Sequence, residues 1–284
     1  MNLEFQRSLI TKFRKTIYRK VVKAIETYNL IEPNDKIAVC ISGGKDSMLL
    51  ALCMQELQAH GPVPFEAVYI SMNPGYNERN LEKIKTNAKL LDIDIEIFNA
   101  PVFEYATSQD DNPCYVCARM RRGYLYNYAM KLGCNKIALG HHADDVIETT
   151  LLGIFYSNEL TFMRPKLRSK NFNNMELIRP LYMVKEQSII NWQKYHNLEF
   201  IGCACPLTQN IDVIDSKRKE VKEIIKELKN YNAEIDDSIF RSIHNINLGT
   251  IVGARLQDER YPFNEIYEME GKKDVESNWV NDRW

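Results

Sequence analysis

The stretch Lys36-Ile-Ala-Val-Cys-Ile-Ser-Gly-Gly-Lys-Asp-Ser47 has the pattern of a strand followed by a tight turn and the start of a helix. Its first half is rich in β-branched residues and predicts a buried strand. Its second half is a Ser-Gly-Gly turn that leads into the apolar segment Met48–Leu57, which predicts a helix. A strand, a glycine turn and a helix N-terminus together present backbone N–H groups that bind phosphate. The stretch is not a Walker A loop, because it lacks the pattern G-x-x-x-x-G-K-[ST].

The side chains of this turn suit a bound nucleotide. Its two glycines permit positive φ and close backbone approach. Its serines add hydroxyl donors, Lys45 adds a positive charge, and Asp46 can hold a metal ion or orient the nucleotide. The alternative is an ordinary glycine turn between a strand and a helix. We predict that Lys45 and Asp46 are catalytic and that the nucleotide-binding residues are Ser42, Gly43, Gly44, Lys45, Asp46 and Ser47.

Downstream of the turn, predicted strands and helices alternate, which indicates an α/β fold with a doubly wound parallel sheet. The predicted strands are Glu66–Ser71, Asp94–Phe98 and Lys136–Leu139; the predicted helices are Glu78–Leu91, Arg119–Leu132 and Ala143–Phe155; Ser169–Met175 is a predicted loop. We expect three parts: a basic helical segment over residues 1–30, a nucleotide-binding catalytic domain over residues 31–210, and a C-terminal helical extension with an acidic tail over residues 211–284.

A second turn, Gly140-His-His-Ala-Asp-Asp145, follows the fourth predicted strand. In a parallel sheet it lies on the same rim as the glycine turn, where ligands bind. Gly140 can bring its backbone close to a nucleotide. Carboxylates in a first helical turn favour the positive end of the helix dipole and can coordinate Mg²⁺. A plain helix cap is the alternative. We predict that Gly140 and Asp145 belong to the nucleotide site.

The net charge of −1 conceals a basic N-terminal segment and an acidic C-terminal one. Apolar residues recur every fourth position through the basic segment, at Phe13, Ile17, Val21 and Ile25, so it should form an amphipathic helix. The outer face would be cationic and suited to an RNA backbone, although a solvated helix face explains it equally well. The basic residues are Arg7, Lys12, Arg14, Lys15, Arg19, Lys20 and Lys23.

Composition gives the remaining expectations. No apolar run reaches the roughly 18 residues of a membrane span, and the first residues lack a signal-peptide core. We therefore expect a cytoplasmic protein without membrane contact. Seven cysteines in such a chain argue against a disulfide scaffold and in favour of metal or sulfur chemistry.

Four of the cysteines form two pairs, Cys114-x-x-Cys117 and Cys203-x-Cys205. Together they could make a structural zinc site. Cys114 and Cys117 alone could form a redox dithiol or carry a persulfide. Three thiolates could also hold an iron–sulfur cluster with one iron open. The spacing does not choose among these sites.

The run from Cys114 to Gly123 resembles the C-x-x-C-x-R-x-R-R-G signature of the tRNA 2-thiocytidine synthetase family, and Ser42–Ser47 resembles the PP-loop of its ATP pyrophosphatase superfamily. The likeness covers roughly residues 8 to 210. It implies a fold like the adenine nucleotide alpha hydrolases, with ATP, Mg²⁺ and a 4Fe–4S cluster on three cysteines. Its implied partners are tRNA, a cysteine desulfurase or other sulfur donor, and a second copy in a homodimer.

Two family ligands of the cluster map onto Cys114 and Cys117, which the resemblance implies are also catalytic. The third is ambiguous, because the family pattern P-C-x-x-C-G-S-Q is replaced here by Gly202-Cys-Ala-Cys-Pro-Leu-Thr-Gln209. We favour Cys205, with Cys203 or four protein ligands as alternatives. The neighbouring arginines suit phosphate contacts or stabilisation of AMP, and we expect Arg121 to contact the nucleotide.

The resemblance implies that the chain adenylates the C2 carbonyl of a cytidine in the tRNA anticodon loop, at position 32, and replaces that oxygen by sulfur. One alternative is a ligase like tRNA lysidine synthetase, which shares the S-G-G-x-D-S loop but needs no cluster. Others are a PP-loop thiolase acting on another tRNA base, and a non-catalytic binding protein with structural zinc.

Overall fold

The computed structural model describes residues 3–107, 113–202, 212–256 and 259–270. The chain divides into two compact units, Met1–Asp236 and Asp237–Trp284. No helix among the described residues is long and apolar enough to cross a membrane. The sequence-based division at residues 30 and 210 stays a prediction.

The first unit is built on a six-stranded sheet whose order is β3-β2-β1-β4-β6-β5. All neighbouring pairs are parallel except β5 and β6. The strands are β1 (Lys36–Cys40), β2 (Glu66–Asn73), β3 (Ile95–Asn99), β4 (Lys136–Ala138), β5 (Lys166–Arg168) and β6 (Glu176–Ile178). The chain moves outward from β1 through β2 and β3 and then returns to place β4 on the other side of β1. The β1–β4 junction is therefore the switch point at which ligands bind in such sheets.

Helices cover both faces of this sheet. Their bounds are α1 (Leu3–Ile10), α2 (Arg19–Tyr28), α3 (Lys45–His60), α4 (Glu78–Leu90), α5 (Val102–Thr107), α6 (Pro113–Lys131), α7 (Ala143–Tyr156), α8 (Glu186–Tyr195) and α9 (Asp212–Leu228). Successive residues of β1 face opposite sides, and Ala38 packs with Tyr126 and Ala129 of α6. Ile37 and Val39, on the other side, are fully buried as well. The predicted doubly wound α/β fold is confirmed.

Three local predictions differ from the structure. The predicted helix from Arg119 begins six residues earlier, at Pro113, where proline suits a first helical turn because its missing N–H costs nothing there. The antiparallel strand β5 was not predicted, since a three-residue strand is too short to show alternation. The N-terminal basic segment is divided into α1, a π-helical turn (Arg14–Tyr18) and α2. Its predicted apolar side is nevertheless buried, at Phe13, Ile17, Val21 and Ile25.

The second unit contains a small antiparallel hairpin of β7 (Gly253–Leu256) and β8 (Glu259–Pro262). A short 3₁₀ helix (Leu248–Thr250) precedes the hairpin, and α11 (Phe263–Glu270) follows it. Helix α10 (Ile235–Ile243) begins at the boundary between the units. The predicted helical extension therefore includes strands as well as helices.

Candidate active site at the β1–β4 switch point

The two predicted turns meet at the carboxyl ends of β1 and β4. Val39 of β1 pairs with Ala138 of β4, so the turns that follow these strands are neighbours. A Cβ atom on Gly140 would lie 3.0 Å from both the carbonyl carbon of Asp46 and the backbone nitrogen of Ser47. Only glycine lets the second turn approach the PP-loop backbone this closely.

The PP-loop is held in shape by its own serines and by a packed glycine. The Ser47 hydroxyl accepts a hydrogen bond from the Ser42 amide at 3.1 Å and donates one to the Gly44 carbonyl at 3.0 Å. Gly43 has φ +87°, and a Cβ there would lie 2.6 Å from side-chain atoms of Ile84 and Ile201. These contacts hold the loop in place, with its last residues at the N-terminus of α3.

Lys45 lies between two carboxylates. Its Nζ is 2.9 Å from Oε1 of Glu186, at the start of α8, and 3.2 Å from Oδ2 of Asp46. Burial would lower the pKa of Lys45, but the two carboxylates outweigh burial and raise it. Burial likewise opposes ionisation of Glu186, yet the bond to Lys45 and the charge of Lys222 lower its pKa to about 2. Lys45 is therefore a positively charged group at the end of the phosphate loop, in the first turn of α3.

Asp46 has an oxygen that suits a cation. Its Oδ1 is buried and has no hydrogen-bond partner among the described residues, and Nε2 of His142 is 3.8 Å away. Burial raises the pKa of Asp46, while His142 and Lys45 lower it in part. A buried carboxylate oxygen without a partner is costly, and it is the type of ligand that Mg²⁺ prefers. This oxygen can therefore serve as one ligand of a metal ion that accompanies a nucleotide, while the described residues contain no group of three His, Cys, Asp or Glu side chains arranged around a metal.

The second turn is both a helix cap and part of the site. The His142 amide donates to Oδ2 of Asp145 at 3.0 Å, and the Asp145 amide donates to Nδ1 of His142 at 3.4 Å. Asp144 accepts a 2.6 Å hydrogen bond from the Glu186 amide and so joins the turn to α8. His141 points elsewhere and accepts from Nε of Arg179 at 3.3 Å. The helix cap is confirmed, and the role of Gly140 and Asp145 in nucleotide binding stays a prediction.

A cavity of about 1270 Å³ opens beside these turns. It exceeds the roughly 300–1,000 Å³ of typical small-molecule sites, so a nucleotide leaves space for part of a larger substrate. Its walls include Asp46, Asp145 and the three arginines that follow Cys117 on α6, Arg119, Arg121 and Arg122. The β5–β6 connection, residues 169–175, supplies Lys170 and Phe172 to another wall.

The cysteines are only partly described. Cys114 and Cys117 lie one turn apart on α6, which places both on the same side of the helix. Cys117 is buried among Met72, Ala100 and Phe103. The side chain of Cys114, and Cys203 and Cys205 entirely, lie outside the described residues, so the predicted ligand set stays a prediction.

Three other cysteines, Cys40, Cys53 and Cys134, are buried. Burial raises the pKa of Cys40 to about 12 and that of Cys134 to about 11. Thiols with so high a pKa are poor nucleophiles and poor metal ligands. Their packing agrees with the expectation that they are small core residues.

Several charged residues of the site were not singled out from the sequence. Glu186, Arg218 and Lys222 lie far from the two turns in the chain, and Glu148 lies three residues after the second turn; no motif marks any of them. Helix α9 brings Arg218 and Lys222 to α7, where Nε of Arg218 donates to Oε2 of Glu148 at 2.7 Å. Arg179 contacts His141 across 38 positions of the chain, and no short motif links the two residues.

Replacing Gly140 with alanine should weaken ATP binding at least tenfold and lower the free energy of unfolding by about 1–3 kcal/mol, because the added methyl meets backbone that cannot rotate away. Calorimetric titration and thermal unfolding measure the two effects. Gly123→Ala is the stability control, since a Cβ there meets nothing within 4 Å. Unchanged ATP affinity in Gly140→Ala would separate the second turn from the nucleotide site.

The chain is similar to known proteins over most of its length. Residues 13–208 match the PP-loop domain model. The chain is 33% identical over 257 residues to a tRNA-cytidine(32) 2-sulfurtransferase of Alcanivorax borkumensis, covering 89% of this chain and 88% of that protein. It is 33% identical over 240 residues to the enzyme of the same name from Pelobacter propionicus, covering 84% and 88%.

A solved structure shares the fold. The U34-tRNA thiolase NcsA from Methanococcus maripaludis, determined with its [4Fe-4S] cluster, superimposes with a TM-score of 0.63 at 21% identity and covers 80% of this chain and 77% of that one. At this identity the likeness establishes the architecture of the sheet and its helices.

Proposed function

This chain belongs to the PP-loop family of tRNA-cytidine(32) 2-sulfurtransferases, and we propose that it uses ATP to replace the C2 oxygen of cytidine 32 in tRNA by sulfur. One observation carries the proposal. The turn of α6 next to Cys117 and the PP-loop line the same cavity, through Ala118 and Arg119 on one side and Ser42 and Asp46 on the other. A nucleotide and a sulfur-bearing group held by these elements would face one space.

The PP-loop would hold the phosphates of ATP. Ser42, Asp46 and Ser47 line the cavity; the amides at the start of α3 would bind phosphate oxygens, and Lys45 would supply the positive charge. Asp46, through its buried Oδ1, and Asp145 would hold Mg²⁺, which when bound neutralises charge on the phosphates. Arg121, on the cavity wall, would contact the α-phosphate or the departing AMP.

The reaction that this arrangement supports has two bond exchanges. The C2 oxygen of cytidine bonds to the α-phosphorus of ATP, and the bond to pyrophosphate breaks. A sulfur nucleophile then bonds to C2, and the C2–O bond breaks so that the oxygen leaves with AMP. Lys45 stabilises the negative charge that develops on pyrophosphate, and the shared cavity keeps the sulfur near the activated carbon.

A 4Fe–4S cluster would be held by Cys114, Cys117 and Cys205, and when bound it would supply the sulfur through an open iron site. Cys114 and Cys117 lie one turn apart near the start of α6, a spacing that supports two ligands of one cluster. Cys203 in place of Cys205, or all four cysteines, remain the alternative ligand sets.

Two other tRNA reactions compete with this proposal. A lysidine synthetase-like ligase would adenylate the same carbonyl and then add lysine, and it has no use for the arginine-flanked Cys114–Cys117 turn. A thiolase for another tRNA base would use the same site but would place a different base of the tRNA in the cavity. The names of the relatives favour cytidine 32 over both.

The identity of the released nucleotide tests the proposal. Incubated with cytidine-32 tRNA, sulfide and ATP, the protein should release AMP and pyrophosphate in step with sulfur incorporation. It should do so without lysine. Release of ADP and phosphate, or a strict requirement for lysine, would refute thiolation by adenylation. Omitting tRNA is the matched control, and it should stop AMP release.

The basic residues of the N-terminal segment are proposed to contact the tRNA backbone. Arg14 and Arg19 are exposed. Reversing both to glutamate should weaken tRNA binding and reduce the slope of log K against log salt by about two, since each lost phosphate contact removes roughly 0.9. Lys131→Glu, an exposed lysine at the end of α6 before β4, is the control. An unchanged slope in the double variant would make the N-terminal segment an ordinary solvated face.

A tRNA substrate favours a cytoplasmic location. A cysteine desulfurase or another sulfur donor would reload the site after each turnover. We also propose a homodimer.

A further inference from the structure

Helix α9 brings two cations to the carboxylates around the PP-loop. Nε of Arg218 lies 2.7 Å from Oε2 of Glu148, and Nζ of Lys222 lies 3.4 Å from Oε1 of the same carboxylate. The side chain of Glu148 is only 3% exposed. Burial raises its pKa, and Lys222 and Arg218 counter part of that rise. The helix is thus placed against α7 by a buried carboxylate and two basic side chains.

Only one edge of the Arg218 guanidinium is used by Glu148. Its Nη2 lies 3.5 Å from Oδ1 of Asp145, which is longer than the usual 2.7–2.9 Å of a charge-assisted hydrogen bond. Arg218 also lines the cavity that the PP-loop opens into, together with Ser42, Ser47 and Asp145. Glu148 therefore holds an arginine that lines the same cavity as the PP-loop serines.

Lys222 gives Glu186 a second partner. Its Nζ lies 3.4 Å from Oε2 of Glu186, whose other oxygen contacts Lys45 at 2.9 Å. Phosphates that bind the PP-loop compete with Glu186 for Lys45. Because Lys222 remains beside Glu186, that carboxylate would keep a cation when Lys45 turns to a phosphate.

We propose that Arg218 is a further ligand of the ATP triphosphate, supplied by α9 and oriented by Glu148. This inference rests on the proposed function and adds to it a phosphate-binding group outside the two turns. Arginine suits the role because its planar fork binds phosphate oxygens in pairs. Helix α9 follows the Cys203–Cys205 segment in the chain. ATP bound to Arg218 would therefore also stabilise the position of α9.

The alternative is a purely structural ion pair, and two variants separate the roles. Arg218→Ala should weaken binding of ATP and of pyrophosphate at least tenfold, as expected for loss of a charge-assisted contact, while tRNA affinity stays unchanged. Adding Glu148→Gln to Arg218→Ala removes the buried charge that needs a partner. It should restore thermal stability but not ATP affinity.

Lys219→Ala is the matched control, because Lys219 lies on the same helix and is exposed; it should change none of these values. Calorimetric titrations with ATP, pyrophosphate and tRNA provide the readout. Three results would overturn the proposal: unchanged ATP affinity in Arg218→Ala, recovery of ATP affinity in the double variant, or loss of tRNA affinity in place of ATP affinity. If the wild-type protein itself bound no ATP, the proposed function would fail before this inference was reached.

Discussion

Replacing Lys45 with alanine is expected to lower ATP-dependent thiolation by roughly three orders of magnitude, the upper range for loss of one group that stabilises transition-state charge. Lys45 stands at the N-terminus of α3 with Nζ 2.9 Å from Glu186. Without Lys45, the phosphate loop contributes no positively charged side chain, while the negative charges of Asp46 and Glu186 remain beside it. The single-turnover rate of AMP formation with cytidine-32 tRNA measures the effect.

The fold should survive this change. Lys222 remains 3.4 Å from Glu186, so the loss of Lys45 does not leave that carboxylate without a cation. Lys36→Ala is the matched control, because Lys36 lies at the opposite end of β1 and pairs with the exposed Glu66; its activity should equal that of the wild type. Asp46→Ala should be inactive as well. Activity within a few-fold of wild type in Lys45→Ala would remove the PP-loop lysine from the mechanism.

Replacing a cluster cysteine with serine is expected to abolish iron binding and thiolation together. We expect this result for Cys114→Ser, Cys117→Ser and Cys205→Ser, because each removes one of three thiolates that hold the cluster. Iron content and the visible absorption of anaerobically purified protein report the cluster. Sulfur incorporation into tRNA reports the activity.

Cys203→Ser is the matched variant, since it changes a cysteine of the same pair. It should keep both iron and activity if three cysteines bind the cluster and leave one iron open. Loss of iron in both Cys203→Ser and Cys205→Ser would indicate four thiolates and a closed site, which has no place for sulfur delivery. A colourless zinc protein would contradict the iron–sulfur proposal altogether.

The two turns of the site could be predicted from the sequence because each is short, follows a buried strand and contains glycine. Because β1 and β4 pair in parallel, the turns that follow them must be neighbours. The close approach of Gly140 to Asp46 and Ser47 agrees with that pairing. Local spacing also predicted the buried side of the N-terminal segment. Such patterns span only a few residues, so they can be recognised in a single sequence.

The charge network could not be predicted, because its members come from four separate elements. Glu186 contacts Lys45 across 141 positions of the chain, and Arg218 contacts Glu148 across 70. Such pairs depend on how α7, α8 and α9 pack, and a single sequence contains no period or motif that links them. Strand β5 was missed for a related reason, since its place is set by pairing with β6 rather than by its own three residues.

We propose that the cavity at the β1–β4 switch point joins ATP to a cytidine carbonyl so that sulfur can replace oxygen. Mass spectrometry of nucleosides from tRNA treated anaerobically with the cluster-loaded protein, sulfide and ATP tests it most directly. We predict that the cytidine at position 32 becomes 2-thiocytidine, with one AMP released for each base converted. An unmodified cytidine 32 in the presence of bound cluster and consumed ATP would contradict the account.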